Sequence, residues 1–222
     1  MLDSTPLARE NITTLIYKRL KNRLMTGGYK PGDVMLLRAI SDELGVSQTP
    51  VREALLQLVS ERALTMARGK SITVPVFEKK RLQDLRAIRL KLEVMAAEYA
   101  VKNIKDEDID SLQDIHRQMM ECKLNEDREG TMRQNFAFHS TLYAASQMTD
   151  LIAIIEGLWA QTGPSLIYLY RSPFVHSKGK HPHLFIIEAL RQRQTEDVVR
   201  AIIQDVSEHG TALMARLPED MT

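Results

Sequence analysis

Apolar positions spaced three and four residues apart recur along most of this chain, and this spacing predicts helices. In the first third of the chain they predict three helices, at about 9–26, 36–46 and 47–59. Residues 64–76 instead alternate apolar and polar side chains around a basic tip, as in a short β-hairpin. The tip consists of Arg68, Gly69 and Lys70. Three helices and a hairpin in this order predict a winged helix-turn-helix over residues 1–76.

Every apolar pattern after residue 77 is helical, with neither strand alternation nor an internal repeat. Six stripes predict six helices, whose first apolar residues are Leu82, Ile109, Met132, Leu151, Ile186 and Val198. Gly163 and Pro164 should interrupt the fourth, because proline lacks the N–H that a helix interior needs. Residues 77–222 are therefore predicted to form an all-α six-helix bundle, and the whole protein to be mainly α.

The first turn of the third predicted helix is suited to contact a ligand. Ser47 occupies the N-cap position, and Pro50 falls where its missing N–H costs no helical hydrogen bond. The side opposite the apolar face carries Gln48, Thr49 and Arg52. An amphipathic helix with a merely solvated edge would show the same pattern. However, a preceding helix that ends at Gly45 and a following hairpin indicate a helix that contacts DNA bases.

Charge divides the chain at the predicted domain boundary. The first 76 residues hold 11 Lys and Arg against 7 Asp and Glu, and the remainder holds 19 against 22, which gives +4 and −3. This division is expected if only the first part meets a polyanion. The single Cys122, and the lack of a secretory signal or of an apolar run of about 20 residues, predict a cytoplasmic protein without membrane association.

The stretch PGDVMLLRAISDELGVSQTPVREALLQLVSERALTMARGKSITV resembles the DNA-binding domain of the GntR family of bacterial transcription regulators. The resemblance implies DNA contacts from Arg38, Thr49, Arg52 and Gly69. Gln48 stands where the family usually has arginine. Because glutamine pairs with adenine and arginine with guanine, the preferred operator should differ at that base. Ser47 at the helix N-terminus and the cations Arg68 and Lys70 complete the predicted DNA surface.

The second part resembles the FCD domain, the ligand-binding domain of the FadR branch of that family. Six helices rather than seven resemble its VanR-type subgroup. The matching residues are Arg89 and Glu93, an N-F-A-F-H run ending at His139, and H-L-F-I-I-E-A-L from His183. The resemblance implies that a small-molecule effector binds within the bundle, with Arg89 among its contacts.

Several polar side chains interrupt the apolar faces of the predicted bundle helices. They are Asn135, His139, His183, Asp205 and His209. The first two and the last two are each four residues apart, so each pair shares one helix face. A lone inward histidine is more often a hydrogen-bonded core residue. Several polar groups on converging faces instead predict a shared cavity for an anionic effector or a metal ion.

The resemblance also implies a possible ligand set for a metal. Many FCD domains bind a divalent ion through Asp-x-x-x-His on one helix and one histidine from each of two later helices. The corresponding positions here are Asn135, His139, His183 and Asp205. Asn135 stands in place of aspartate and Asp205 in place of histidine, while His209 is an alternative donor. Two alternatives therefore stay open, a zinc or nickel site and a metal-free effector pocket.

Three classes of function fit part of this pattern. An enzyme is disfavoured, because no nucleophile elbow, phosphate loop or H-E-x-x-H motif accompanies the histidines. An architectural DNA binder should have apolar residues at the inward polar positions. The sequence therefore predicts a transcription regulator that binds a pseudo-palindromic, double-stranded operator as a homodimer. Its DNA affinity should respond to a small-molecule effector such as a carboxylate metabolite.

Overall fold

The computed structural model describes residues 12–67, 71–170 and 180–218. The predicted hairpin tip, Arg68, Gly69 and Lys70, lies outside the described residues. The first part contains α1 Ile12–Met25, α2 Leu37–Leu44, α3 Gln48–Ser60, β1 Thr65–Met66 and β2 Ile72–Thr73. The second part contains α4 Lys79–Asn103, α5 Asp106–Leu124, α6 Arg128–Ala144, α7 Thr149–Thr162, α8 Leu166–Leu169, α9 Pro182–Arg191 and α10 Thr195–Met214. This order confirms the predicted mainly α fold.

The turn between α2 and α3 follows from local backbone chemistry. Gly45 adopts a left-handed conformation with φ of 66°, and its N–H donates to the carbonyl of Asp42. Glycine accepts this conformation without a Cβ clash, so α2 ends there. Ser47 has the extended backbone of an N-cap and α3 begins at the next residue. The Ser47 side chain nevertheless makes no cap hydrogen bond to any described residue.

The wing hairpin is shorter than the alternating pattern predicted. Its two strands are antiparallel, and the paired residues are Thr65 with Thr73 and Met66 with Ile72. After β2 the chain pairs instead with the segment before α2, where the Val74 N–H donates to the carbonyl of Asp33. Pro75 then has no N–H with which to extend the ladder.

Gly163 and Pro164 interrupt the fourth helix of the bundle, as predicted. α7 ends at Thr162, residues Gly163–Ser165 form a 3-10 turn, and α8 continues for a single turn. Apart from α8, the described part of the bundle consists of six longer helices. Within the described ranges, no helix combines the length and the apolar character needed to cross a bilayer.

One buried apolar cluster extends across the predicted boundary between residues 76 and 77. α1 packs against α3 on one side and against α7 on the other, and its end contacts the 3-10 turn. Within the bundle, α10 packs against α4 and α9, and α5 packs against α6 and α9. The helix-turn-helix therefore rests directly on the bundle.

The buried faces of two helices differ from the predicted stripes. On α4, Ile88, Met95 and Tyr99 are exposed, and the buried face instead includes Glu93 and several alanines. α4 carries apolar residues on two faces, so periodicity could not select the buried one. On α5 the buried face includes His116, whereas the predicted Ile115 is only partly buried.

Candidate functional site

The first turn of α3 presents its polar side chains to solvent. Gln48, Thr49 and Arg52 are exposed, as are Ser47 and Arg38. Arg38 lies 3.9 Å from Asp42, and 88% of its side chain is accessible. An exposed pair at this distance stabilises the fold little, so Arg38 can exchange it for another anion. The five predicted DNA contacts that the structure describes are therefore accessible.

A groove connects this turn to the wing. Its lining includes Arg52 and Leu56 of α3, Met66 of β1 and Ser71 just before β2. In helix-turn-helix proteins the N-terminal residues of the second helix contact base edges in the major groove. Here that helix is α3, and Arg52 lies between its start and the base of the hairpin.

A cavity of ≈ 60 Å³ opens within the bundle between α4, α6, α7, α8 and α10. Five of the six predicted effector residues line it: Arg89, Asn135, His139, Asp205 and His209. The sixth, His183, is fully buried, with its Nε2 3.9 Å from Asp205 Oδ1. Arg86 adds a second guanidinium to the cavity wall. At about 10–15 Å³ for each water, this space suits a ligand of only a few heavy atoms.

A hydrogen-bond chain orients the ring of His139. The Tyr143 hydroxyl donates to Glu93 Oε2 at 2.9 Å and lies 3.2 Å from His139 Nδ1. Burial, followed by the Glu93 charge, raises the pKa of Tyr143 well above its usual value, so this hydroxyl keeps its proton. With Nδ1 held beside Tyr143, the opposite ring nitrogen, Nε2, is directed at Asp205.

Glu93 lies at the centre of this hydrogen-bond chain and is fully buried from solvent. Its carboxylate accepts hydrogen bonds from Arg89 Nε at 2.8 Å, Trp159 Nε1 at 2.9 Å and Tyr143. Arg89 also donates to Thr162 Oγ1 at 3.2 Å, and its guanidinium lies 4.1 Å from the centre of the Trp159 ring. A buried carboxylate is tolerated only when paired and hydrogen-bonded, as it is here.

Asp205 is the acidic group of the cavity. Its Oδ2 lies 3.2 Å from His139 Nε2, and its Oδ1 lies 3.2 Å from His209 Nδ1. Burial alone would raise the pKa of Asp205, but the neighbouring histidines outweigh burial and hold that pKa well below its usual range. Asp205 in turn raises the pKa of His209 against the effect of burial. The pair is thus biased toward carboxylate and imidazolium.

The predicted metal ligands come together around Asp205. One nitrogen each of His139 and His183 and one Asp205 oxygen lie within 4.8 Å of one another. Asn135 Oδ1 and both His183 nitrogens are buried without a hydrogen-bond partner among the described residues. Buried polar atoms normally have partners, and these unpaired donor atoms are of the types that zinc or nickel accepts. The residues present therefore fit a divalent transition metal.

Two histidines beside this site were not among the residues that the sequence patterns predicted for it. His116 on α5 is 6% exposed, and His181 is the N-cap of α9. Together with His183 they form a second group whose ligand atoms lie within 4.8 Å of one another. The available sequence signals were the H-P-H run at 181–183 and a histidine four residues after Leu112 on an apolar face.

The described geometry can be compared with known proteins. Residues 12–74 match the gntR family of bacterial regulatory proteins, and residues 84–208 match the FCD domain. The chain is 37% identical over 162 residues to the HTH-type transcriptional regulator McbR of Escherichia coli K12, a match that covers 73% of each protein. It is 24% identical over 208 residues to the gluconate operon transcriptional repressor of Bacillus subtilis 168, covering 90% of this chain and 84% of that protein.

Solved structures have the same architecture. E. coli McbR/YncC superposes with a TM-score of 0.85 at 32% identity, covering 91% of this chain and 97% of that chain. A GntR structure from Rhodococcus sp. RHA1 shares the fold with a TM-score of 0.75 at 18% identity, covering 93% of this chain and 99% of that chain. The chain is thus a member of the GntR family of bacterial transcription regulators, with a DNA-binding domain followed by an FCD domain.

Proposed function

We propose that this regulator binds a pseudo-palindromic operator as a homodimer, and that a small carboxylate in the bundle cavity changes its DNA affinity. The observation that carries the proposal is a cavity with Arg86, Arg89 and His209 in its wall, in a bundle that packs directly on the helix-turn-helix. Because chromosomal DNA is its target, the site of action is the bacterial cytoplasm. The division into domains 1–76 and 77–222 stays a prediction, as does the VanR-type subgroup.

DNA recognition is assigned to the exposed first turn of α3 and its neighbours. Gln48 can bond adenine N6 and N7, and Arg52 can bond guanine or a phosphate. Ser47 and Thr49 offer hydroxyls at the positive end of the helix dipole, where a phosphate is favoured. Two copies are needed, because helix-turn-helix proteins generally read two half-sites related by a two-fold axis. The hairpin tip, Arg68, Gly69 and Lys70, is proposed to reach the flanking phosphates or minor groove.

The effector class follows from charge and space. Arg86, Arg89 and a positively biased His209 line the ≈ 60 Å³ cavity. Arg89 already donates to Glu93 and Thr162, and Arg86 donates to the Ser207 carbonyl at 2.9 Å, so each guanidinium keeps further N–H groups for a new anion. A carboxylate of two to four carbons suits both the volume and the donors.

A divalent ion, zinc or nickel, is proposed to share this cavity. His139, His183 and Asp205 would hold it, with Asn135 as a weaker oxygen donor. When bound, it would supply Lewis acidity and open positions for a carboxylate oxygen. His139 is already oriented for this role by Tyr143 and Glu93, the kind of outer partner that fixes ligating histidines.

A route from the cavity to α3 runs through the end of α7. Thr162 lines the cavity and bonds to Arg89. The preceding residue, Gln161, donates to the backbone carbonyl of Glu61 at 3.3 Å, directly after α3, and accepts a bond from Arg81 at 3.4 Å. An effector that draws Arg89 away from Thr162 would change the end of α7 and hence the support of α3.

The DNA assignment is tested with Arg52→Ala on an operator selected from random sequence. Loss of a base or bidentate phosphate contact should weaken binding by about 1–3 kcal/mol. Gln57→Ala is the matched control, since Gln57 is exposed on α3 more than one turn further along. Unchanged affinity of Arg52→Ala, with its helical content intact, would remove α3 from the DNA interface.

The cavity assignment is tested by thermal unfolding with acetate, malonate and succinate. At least one should raise the midpoint of wild type, because a ligand that binds only the folded state stabilises it. Arg86→Ala should abolish the rise, whereas Arg133→Ala, an exposed arginine on α6, should keep it. If none of the three acids stabilises wild type, the carboxylate class is wrong. Zinc and nickel content is measured in wild type and Asp205→Asn, and equal content would place the ion elsewhere.

A further inference from the structure

The bundle contains a cluster of histidines, only some of which line the effector cavity. The chain has six histidines, and five of them lie in the described part close to one another. His139 and His209 line the cavity, whereas His116 and His181 lie among neither its lining residues nor the predicted ligands. Their ring centroids lie 5.1 Å apart, and those of His181 and His183 4.6 Å apart.

His116 occupies a position at which helix packing would favour an apolar side chain. It follows Ile109 and Leu112 and precedes Met119 on the buried face of α5. Its Nδ1 is buried without a hydrogen-bond partner among the described residues. Leaving a buried polar atom unpaired costs about 1–3 kcal/mol, which leucine at this position would avoid. A buried imidazole without this hydrogen bond therefore indicates a role for His116 other than packing.

The other two imidazoles are held in place by the local chain. Pro182 is the first residue of α9 and restricts the backbone between His181 and His183. The His183 ring stacks on Phe138, with centroids 3.7 Å apart and an interplanar angle of 4°. This stacking fixes the ring plane while leaving the edge nitrogens open. Both nitrogens of His183 lack a hydrogen-bond partner within the described part of the chain.

Little solvent reaches these three rings, since His116 and His183 are buried and His181 is partly buried. A neutral imidazole offers one nitrogen lone pair, which is what a metal ion binds.

We propose that His116, His181 and His183 bind a divalent transition metal outside the effector cavity and so tie α5 to the start of α9. The site shares His183 with the cavity ion proposed above, and because a neutral imidazole offers one lone pair, His183 serves only one of the two ions at a time. The ligand atoms of the three histidines lie within 4.8 Å of one another. Metal–nitrogen bonds of about 2.0–2.1 Å bring tetrahedral ligands to about 3.4 Å apart, so small side-chain rotations close the site. Three imidazoles favour zinc, cobalt, nickel or copper over magnesium or calcium.

This site has a structural consequence at the start of α9. His181 Nδ1 accepts the backbone N–H of His183 at 3.2 Å. A metal at Nδ1 displaces that bond directly. A metal at Nε2 moves the ring proton to Nδ1, which then cannot accept. Metal binding at His181 therefore removes the N-cap of α9, and the His183 amide proton should shift upfield in NMR spectra.

The test titrates chelator-stripped, full-length protein with Co²⁺ and follows its visible absorption, which is intense in tetrahedral sites. His116→Leu removes one ligand while suiting the apolar face, and His181→Ser removes another while keeping a favourable N-cap residue. Each should weaken Co²⁺ binding at least tenfold. Arg133→Ala, at an exposed arginine on α6, is the control and should change it less than threefold. Asp205→Asn is measured beside these variants to report on the cavity ion. Circular dichroism and urea unfolding establish that each variant folds.

The outcomes separate this proposal from the metal proposed in the cavity. Wild-type Co²⁺ affinity in His116→Leu and His181→Ser would overturn it, as would an absence of Co²⁺ binding to wild type at micromolar concentration. Loss in Asp205→Asn alone would overturn it while supporting the cavity ion. Loss in His116→Leu, His181→Ser and Asp205→Asn together would also overturn it, because a single ion would then use the cavity ligand as well. If His116→Leu does not fold, His181→Ser decides.

Discussion

The contact between α1 and the 3-10 turn after α7 joins the DNA-binding part of the chain to the bundle, and Gly163 makes it possible. A Cβ added at Gly163 would lie 2.2 Å from the Leu24 carbonyl oxygen and 2.9 Å from Met25 Cα. Both neighbours are backbone atoms at the end of a helix, so a rotamer change cannot relieve the clash. The backbone of Gly163 itself is ordinary for alanine, with φ of −52°. The effect of Gly163→Ala is therefore steric.

The magnitude follows from the distances. To reach an ordinary contact of 3.0–3.4 Å, α1 and the turn must separate by about 1 Å, and overpacking of this kind costs about 1–3 kcal/mol. Relief of glycine entropy offsets part of this, by about 0.5–1 kcal/mol. We expect Gly163→Ala to lower the free energy of unfolding, by up to about 2.5 kcal/mol.

Gly157→Ala is the matched control, in α7 just before the turn. A Cβ at Gly157 would meet no described atom within 4 Å, so alanine there should raise the free energy of unfolding by about 0.5–1 kcal/mol. Urea unfolding of both variants and wild type measures the difference. If Gly163→Ala is as stable as Gly157→Ala, α1 does not pack on the turn as described.

Two further predictions concern the buried histidines. Tyr143→Phe leaves His139 and Glu93 each without one hydrogen-bond partner, so it should lower the free energy of unfolding in urea by about 1–3 kcal/mol. A decrease below about 0.5 kcal/mol would contradict the hydrogen bonds between Tyr143 and these two residues. In chelated protein, the unfolded state takes up a proton at His181 below pH 6.5 while the folded state stays neutral down to its pKa of about 3. Stability should therefore fall on acidification, by up to about 2 kcal/mol between pH 7 and pH 5 from this group. His181→Ser should lack that portion of the loss, and identical pH profiles would show that His181 is not neutral in the folded protein.

Local chemistry determined the helix-turn-helix from sequence alone. Gly45 ends α2, Ser47 and Pro50 mark the start of α3, and the apolar spacing orients both helices. Each of these signals acts within one or two helical turns, so no distant partner is needed to interpret it. The interruption at Gly163 is a similar case, because glycine and proline limit the backbone wherever they occur.

Tertiary structure alone decided which polar groups meet. The sequence indicated that Asn135, His139, Asp205 and His209 point inward, because each lies on an apolar stripe, and the cavity brings them together. It could not show that Glu93 is fully buried beneath Arg89, Trp159 and Tyr143, nor choose between the two apolar faces of α4.

The sequence likewise could not show that His116 meets His181 and His183, because the two parts of this group are far apart in the chain. His116 lies on α5 and His181 starts α9, more than sixty residues later. Helical periodicity fixes the direction of a side chain on its own helix, but the side chain that it meets depends on how the helices pack. A histidine on an apolar face therefore has the same sequence pattern whether it is an inert core residue or a ligand. Only the packing of α5 against α9 distinguishes the two.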